Sequence, residues 1–108
     1  MAEARLVLTT VGDEPKASEL AAALIERRLA ACVNVVGPIH SVYRWKGKVE
    51  RESEFLLVIK TTAEQASRLE AAFAELHPYE LPERVELPVE GGSEEYLAWI
   101  AGELQREE

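Results

Sequence analysis

The chain has 108 residues, a length that fits one hydrophobic core, and 47% of them are hydrophobic while 30% are charged. This composition is typical of a globular protein and excludes a disordered one. The formal net charge of −8 argues against nucleic acid and anionic membranes as partners, because both repel an acidic protein.

Residue usage also bears on compartment and stability. Cys32 is the only cysteine, so no intrachain disulfide can form. No segment has the pattern of a secretory signal, and no apolar stretch approaches the ~18 residues of a membrane span. We therefore expect a cytoplasmic protein. Asp13 is the only aspartate among 20 acidic residues, and the chain has one asparagine and one methionine. Few thermolabile residues and many glutamates predict a high unfolding temperature.

The first element in chain order is a strand, followed by a helix. Arg5–Val11 is aliphatic and β-branched at both alternating sets of positions, which predicts a strand buried on two sides. Asp13 is suited to cap a helix. Apolar residues from Ala17 to Leu29 follow at three- and four-residue spacing, so we expect one apolar helical face that extends to Leu29.

Cys32–Trp45 and Lys48–Thr61 predict a long β-hairpin. Gly47 can adopt the positive φ that a tight turn requires. A three-residue loop, Lys46 to Lys48, would pair odd positions with odd. Pro38 cannot donate to a ladder, so we expect an edge strand with a bulge there. The odd pairing would gather these apolar residues on one face: Val33, Val35, Ile39, Tyr43, Trp45, Val49, Phe55, Leu57 and Ile59.

The second half predicts a helix, a short strand and a final helix. Thr62 begins a capping-box pattern, and an apolar stripe then ends before Pro78. Arg84–Val89 predicts the fourth strand, and Ser93 is suited to cap the last helix. The order βαββαβ plus a C-terminal helix predicts an α+β, ferredoxin-like fold, with residues 1–108 as a single domain.

Some apolar residues point away from the predicted core. Leu56 and Val58 alternate with the inward residues of their strand, and Tyr96 and Trp99 lie off the main apolar line of the last helix. Two helices can cover only one face of a sheet, so the other face needs another partner. We expect a homo-oligomer.

The sequence carries no pattern of a catalytic site. It lacks a Ser/His/Asp set, a Walker loop and GxGxxG. The first strand-to-helix turn contains Asp13 and Glu14 where a phosphate cradle would be glycine-rich and basic. Phe55 is the only aromatic residue on the predicted central strands, too few for an RNA-binding sheet. We expect no enzyme activity.

The candidate soft metal ligands are scattered, without CxxC or HxxxH spacing: Cys32, His40 and His77. Cys32 lies in an apolar strand, where a free cysteine usually acts as a small core residue. His77 ends a helix, where a histidine is also explained by the C-terminal cap and the helix dipole.

Three glutamates, Glu50, Glu52 and Glu54, alternate along one face of the third strand. Like charges in this arrangement repel one another unless a cation or basic side chains lie opposite. The favoured interpretation is neutralisation within the hairpin, with no metal required, by Arg44, Lys46, Lys48 and Arg51.

Several motifs together resemble the CutA divalent-cation tolerance family, and they occur in the same order over nearly the whole chain. They are Leu29–Asn34, Ser41–Lys48, Glu54–Thr62, His77–Glu83 and Tyr96–Ile100. The resemblance implies a ferredoxin-like homotrimer, cytoplasmic in bacteria and associated with tolerance to copper and other divalent cations.

The resemblance also implies site residues. The copper ligands proposed in the family fall at positions that read Thr9 and Leu76-His77 here, so only His77 is retained. With Glu80 and Cys32 as further candidates, we expect weak binding of Cu(II) or another divalent cation and no required cofactor. The residues that the resemblance places in an intersubunit cleft are Tyr43, Trp45, Lys60 and Tyr79.

These expectations lead to two functional hypotheses. The first is a homotrimeric, CutA-like protein in the response to divalent metal ions. The second is a trimeric signalling or scaffold module whose intersubunit clefts bind a small ligand or a protein. Saturable metal binding would favour the first, whereas a metabolite ligand without a metal response would favour the second.

Overall fold

The computed structural model describes residues 3–105. Its strands form one antiparallel sheet in the order β2-β3-β1-β4, with β1 Ala4–Val11, β2 Cys32–Trp45, β3 Lys48–Thr62 and β4 Val85–Pro88. The helices are α1 Glu14–Glu26, α2 Ala63–Ala66, α3 Leu69–Leu76 and α4 Glu94–Leu104. This arrangement confirms the predicted α+β, ferredoxin-like fold. The described residues contain no helix long and apolar enough to cross a membrane.

The main core lies between one face of the sheet and the helices α1 and α3. Alternate residues of β1 and β3 point into it, as the two-residue period of a strand requires. Its largest fully buried apolar side chains are Leu24, Leu57, Ile59, Leu69, Val7 and Val11. The helix-covered face is therefore sealed within one chain.

Helix α1 begins as predicted and ends earlier. The Lys16 amide donates to Asp13 Oδ1 over 2.9 Å, which confirms Asp13 as the N-cap. The helix ends at Glu26, and Arg28 has a φ of 56°. The Leu29 amide then donates to the Leu24 carbonyl, which is the Schellman arrangement. The predicted extension of the helix to Leu29 was therefore wrong, although Leu29 is still buried.

The second predicted helix is divided into α2 and α3. Thr62 caps α2 through the Gln65 amide, as predicted. The Ser67 hydroxyl donates to the Glu64 carbonyl over 2.6 Å. Such a bond competes with the regular helical ladder and accompanies the break after Ala66. Helix α3 ends at Leu76, before Pro78, as predicted.

The hairpin confirms the predicted edge strand and bulge but corrects the loop. Lys48 pairs with Trp45, so the loop contains two residues, and the distal register pairs odd positions with even. At the base, Val33 pairs with Ile59, so odd positions pair with odd there. The register shifts between Val36 and Ile39, where Gly37 and Pro38 lie. The bulge therefore changes which residues share a face along the distal hairpin.

The opposite face of the sheet is only partly covered. Ile100 and Leu104 of α4 are buried apart from the main core, and the Lys60 ammonium lies 5.5 Å from the Tyr96 ring. Toward the other end of this face, Val36 and Val85 are 45% and 47% exposed. Among the described residues, no third strand pairs with the distal hairpin, and a two-stranded ribbon alone is marginally stable in water.

Candidate functional site

Three glutamates of the distal hairpin, Glu50, Glu52 and Glu54, share one face. Cross-strand partners share a face of the sheet, and Ser41 pairs with Glu52 while Tyr43 pairs with Glu50. Arg51 instead pairs with Val42, on the other face of the ribbon. Arg51 alternates with the glutamates along β3 and therefore lies on the opposite face, and the two-residue loop places Arg44 on that face as well. Lys48 pairs with Trp45 and shares the face of the glutamates. The prediction that basic residues of the hairpin neutralise the three glutamates was therefore wrong for Arg44 and Arg51. No ion pair among residues 3–105 includes Glu50, Glu52 or Glu54.

The loop that follows α3 reaches this acidic face. The Tyr79 hydroxyl donates to Glu54 Oε2 over 2.6 Å, and Glu54 is 6% exposed. This is the only hydrogen bond of the Glu54 carboxylate within residues 3–105. A Cβ atom at Gly12 would lie 3.5 Å from the Tyr79 hydroxyl oxygen. The absence of a side chain at Gly12 therefore leaves space for the tyrosine to pass the end of β1.

A cavity of about 890 Å³ opens between the acidic face and this loop. Its walls combine carboxylates with aromatic and apolar side chains, and none of the Lys, Arg or His residues between positions 3 and 105 lines it. One wall comes from β1 and the hairpin and the other from the loop: Thr10, Ser41, Val42, Tyr43, Trp45, Glu52, Glu54, Pro78, Tyr79, Glu80, Leu81, Pro82 and Glu83.

The titratable groups of the cavity reflect its negative charge. Burial raises the pKa of the Glu83 carboxyl, and the charge of Glu54 raises it further. Burial and the hydrogen bond to Glu54 raise the pKa of Tyr79. Desolvation followed by the nearby glutamates, Glu52 first, raises the pKa of Tyr43. Each shift disfavours a further negative charge, so the cavity is electrostatically suited to a cation.

His77 lies behind the cavity and is 8% exposed. The Tyr79 amide donates to His77 Nδ1 over 3.1 Å, so in the neutral ring the hydrogen resides on Nε2. Nε2 then donates to Thr9 Oγ1 over 2.9 Å. Burial lowers the pKa of His77, opposed by a hydrogen bond to the Thr10 backbone. The ring also packs against Phe73 and Tyr79, with centroids 5.3 and 5.2 Å away.

The structure does not gather the three predicted metal ligands into one group. His77 is engaged at both nitrogens, Glu80 lines the cavity, and Cys32 pairs with Lys60 at the start of β2. Within residues 3–105, no three His, Cys, Asp or Glu side chains are arranged to hold a metal ion. The ligand assignment stays a prediction that would require rearrangement or a second chain.

The predicted cleft residues separate into two places. Tyr43, Trp45 and Tyr79 all line the cavity. Lys60 does not line the cavity, and its ammonium group lies 5.5 Å from the centroid of the Tyr96 ring on α4. The sequence reasoning missed Glu52 and Glu54 as members of the same site. The alternating glutamates were the available signal, but their partners depended on a loop length that the sequence pattern did not define.

Comparisons with known proteins bear on what this arrangement serves. The profile of the family described as CutA1 divalent ion tolerance protein matches residues 5–103. The divalent-cation tolerance protein CutA of Thermus thermophilus is 47% identical over 95 residues, 88% of this chain and 92% of that protein. The crystal structure of CutA from Xylella fastidiosa has a TM-score of 0.91 at 39% identity, covering 94% of this chain and 98% of that one.

An animal relative is longer. The CutA homolog of Xenopus laevis is 45% identical over 91 residues, which are 84% of this chain and 60% of that protein. The chain therefore spans less than two thirds of that relative. The family profile nevertheless extends over most of this sequence, and with the identity to the Thermus protein it shows that the chain belongs to the CutA1 divalent ion tolerance protein family.

Proposed function

We propose that this CutA-family divalent-cation tolerance protein acts as a homotrimer that binds Cu(II) or another divalent cation weakly and catalyses no reaction. The observation that carries the proposal is the family match over residues 5–103. An acidic chain with a net charge of −8 also attracts cations to its surface. A cytoplasmic location remains a prediction from the sequence.

The oligomeric part of the proposal is supported by surfaces that one chain leaves open. Val36 and Val85 expose apolar area on the sheet face opposite α1, and Tyr96 and Trp99 are 40% and 44% exposed on α4. Burying apolar surface contributes about 25 cal/mol per Å². Association of identical chains would cover this surface and support the distal hairpin.

Light scattering coupled to size exclusion tests the assembly. We expect a mass three times that of the 12.0 kDa chain at micromolar concentration. A mass of one chain would overturn the homotrimer. The same sample tests the predicted thermal stability by calorimetry, since subunit burial and Glu-rich ion pairs both favour a high unfolding temperature. Unfolding below about 65 °C, the upper range for ordinary domains, would contradict that expectation.

We propose weak metal binding because both ring nitrogens of His77 already take part in hydrogen bonds. A cation on His77 Nδ1 must displace the Tyr79 amide, and one on Nε2 must displace a proton and the bond to Thr9. Lost hydrogen bonds of this kind cost about 0.5–1.5 kcal/mol each. Among first-row divalent ions Cu(II) should bind most tightly, by the usual affinity order.

Calorimetric titration of Cu(II) and Zn(II) into the intact protein tests this part. We expect weak, saturable Cu(II) binding that decreases several-fold in His77→Ala. Cys32→Ser is the comparison variant. Cys32 begins β2 and pairs with Lys60 of β3, and its loss should cost stability more than Cu(II) binding. Titration curves of parent and His77→Ala that superimpose would exclude His77 as the ligand.

The second candidate function is a signalling or scaffold module that binds a small ligand. The specific observation in its favour is the cavity of about 890 Å³ between the hairpin and the loop, within the 300–1,000 Å³ that small-molecule sites usually have. A metabolite that raises the unfolding temperature without any metal response would favour this candidate over metal binding.

A further inference from the structure

The cavity holds a buried carboxylate without a cationic partner. Glu54 is 6% exposed, lines the cavity, and bonds only to the uncharged Tyr79 hydroxyl within residues 3–105. A buried charge is costly unless it is paired. Because no ion pair of the described residues includes Glu54, its second oxygen is available to a ligand in the cavity.

The other carboxylates are distributed along the cavity and not gathered at one point. Glu52 and Glu54 are two residues apart on one face of β3, so their backbone positions differ by roughly 7 Å. Glu80 and Glu83 lie on the loop that forms the other wall. No three of these groups are close enough to hold one metal ion within residues 3–105. A compact inorganic cation therefore fits this site poorly.

The remaining walls suit the organic part of a larger cation. Tyr43 and Trp45 present aromatic rings, which attract ammonium groups through their faces. Leu81 and Pro82 add apolar surface that can contact methylene groups. An ion with charged groups separated by hydrocarbon would match both the spaced carboxylates and the walls between them.

We propose that the cavity between the distal hairpin and the loop at Pro78–Glu83 binds a linear alkyl polyamine. Its ammonium groups donate to Glu54 and to the carboxylates of Glu52 and Glu83, and its methylene chain lies against Trp45. The inference sharpens the second candidate function by naming the chemistry of its ligand. It requires no metal and no catalytic step.

Isothermal titration of spermidine into the intact protein, in metal-free buffer with about 0.15 M salt, tests the inference. This ionic strength screens diffuse surface attraction beyond about 8 Å. We expect saturable binding. Glu54→Gln should weaken it about ten-fold, because a hydrogen bond to a charged group is lost, while the amide oxygen can still accept from Tyr79. Trp45→Leu should weaken it by a smaller factor, since it removes only the aromatic face.

Two further variants keep the result interpretable. Glu83→Gln removes a loop carboxylate and serves if Glu54→Gln does not fold. Glu19→Gln removes the same charge from the exposed surface of α1 and should leave spermidine binding unchanged. Absence of saturable binding, including the case in which a neighbouring subunit fills the cavity, would overturn the inference. Equal weakening by Glu19→Gln and the cavity variants would overturn it too. Because the spermidine titration contains no metal, neither of these failures would bear on the Cu(II) prediction, which its own titration tests.

Discussion

The two faces of the sheet differ in how far a single chain satisfies its own polar groups. On the helix-covered face, the Thr61 hydroxyl donates to the Leu29 carbonyl over 2.6 Å, and His77 is bonded to Thr9 and Tyr79. Along the distal hairpin on the other side, Glu50 and Glu52 lie in no ion pair of the described residues.

The difference separates residues that stabilise the fold from residues that remain available to partners. Polar groups on the covered face already have their hydrogen bonds, so a ligand must displace them before it can bind. An exception within residues 3–105 is the buried Gln65 Oε1, which has no hydrogen-bond partner. The glutamates along the hairpin form no ion pair within residues 3–105, so a cation that binds there displaces no basic side chain. We therefore expect core variants to change stability and hairpin variants to change association.

The largest effect is expected from neighbouring leucines of β3 that point to opposite faces. Leu57 is fully buried in the main core, so Leu57→Ala should lower the free energy of unfolding by about 2–5 kcal/mol. Leu56 is half-buried on the other face, so Leu56→Ala should cost less and weaken the oligomer instead. Urea denaturation and light scattering measure the two effects. Equal stability losses would contradict the distinction between the faces.

The architecture was predictable because its determinants are local. Asp13, Thr62 and Ser93 each accept from the amide three residues later, so short polar patterns located the helix starts. Pro38 located the bulge because proline cannot donate to a ladder. The helix end at Glu26 was not predictable from periodicity, since Leu29 is buried in the same core from outside the helix.

The next effect concerns His77 and pH. His77→Phe keeps most of the volume but leaves Thr9 and the Tyr79 amide without their partner, which should cost about 1–3 kcal/mol of unfolding free energy. Burial lowers the folded-state pKa of His77. Below about pH 6.5 the unfolded ring takes up a proton that the folded ring resists. The contribution of His77 to the stability of the parent should therefore fall between pH 7 and pH 5, by up to about 1.4 kcal/mol per pH unit.

Comparison of the two proteins isolates this contribution. His40 and Glu83 are present in the parent and in His77→Phe, so their contributions cancel in the difference. The raised pKa of Glu83 increases the stability of both proteins as the pH falls. The difference in unfolding free energy between parent and His77→Phe should decrease between pH 7 and 5, measured by urea denaturation at one protein concentration. A constant difference over this range would show that His77 titrates alike in the folded and unfolded chains.

A binding effect is expected where Thr9 meets His77. The 2.9 Å contact between Thr9 Oγ1 and His77 Nε2 means that Thr9→Cys would place a sulfur beside an imidazole nitrogen. Thiolate and imidazole are both zinc ligands, so Zn(II) affinity should rise at least about ten-fold, equivalent to about 1.4 kcal/mol. Thr9→Ser is the control without a sulfur. Calorimetric titrations that agree for the two variants would show that the pair cannot open to a metal.

The candidate site was less predictable than the fold because it depends on register. The predicted three-residue loop placed Tyr43 and Trp45 on the same face as Val49 and Phe55, whereas the observed pairing places them with Glu50 and Lys48. One residue of difference in a loop exchanges the faces of all following positions. Tyr79 and Glu54, which are in contact, lie 25 residues apart in the chain. No local sequence pattern indicates this contact. Sequence reasoning therefore found the acidic strand and the loop separately.

The smallest effect tests that register at the hairpin loop. Lys46 and Gly47 have φ values of 50° and 81°, as a two-residue type I′ loop requires. A Cβ at Gly47 would meet no atom within 4 Å, so Gly47→Ala should cost only the backbone penalty, about 1 kcal/mol of unfolding free energy. Lys46→Asn should raise stability slightly, because asparagine tolerates positive φ.

In a three-residue loop the left-handed residue would be Lys48, and Lys48→Gly would then stabilise the protein. In the observed loop Lys48 begins a strand, so Lys48→Gly should destabilise it. The sign of that change, from urea denaturation, decides between the two registers.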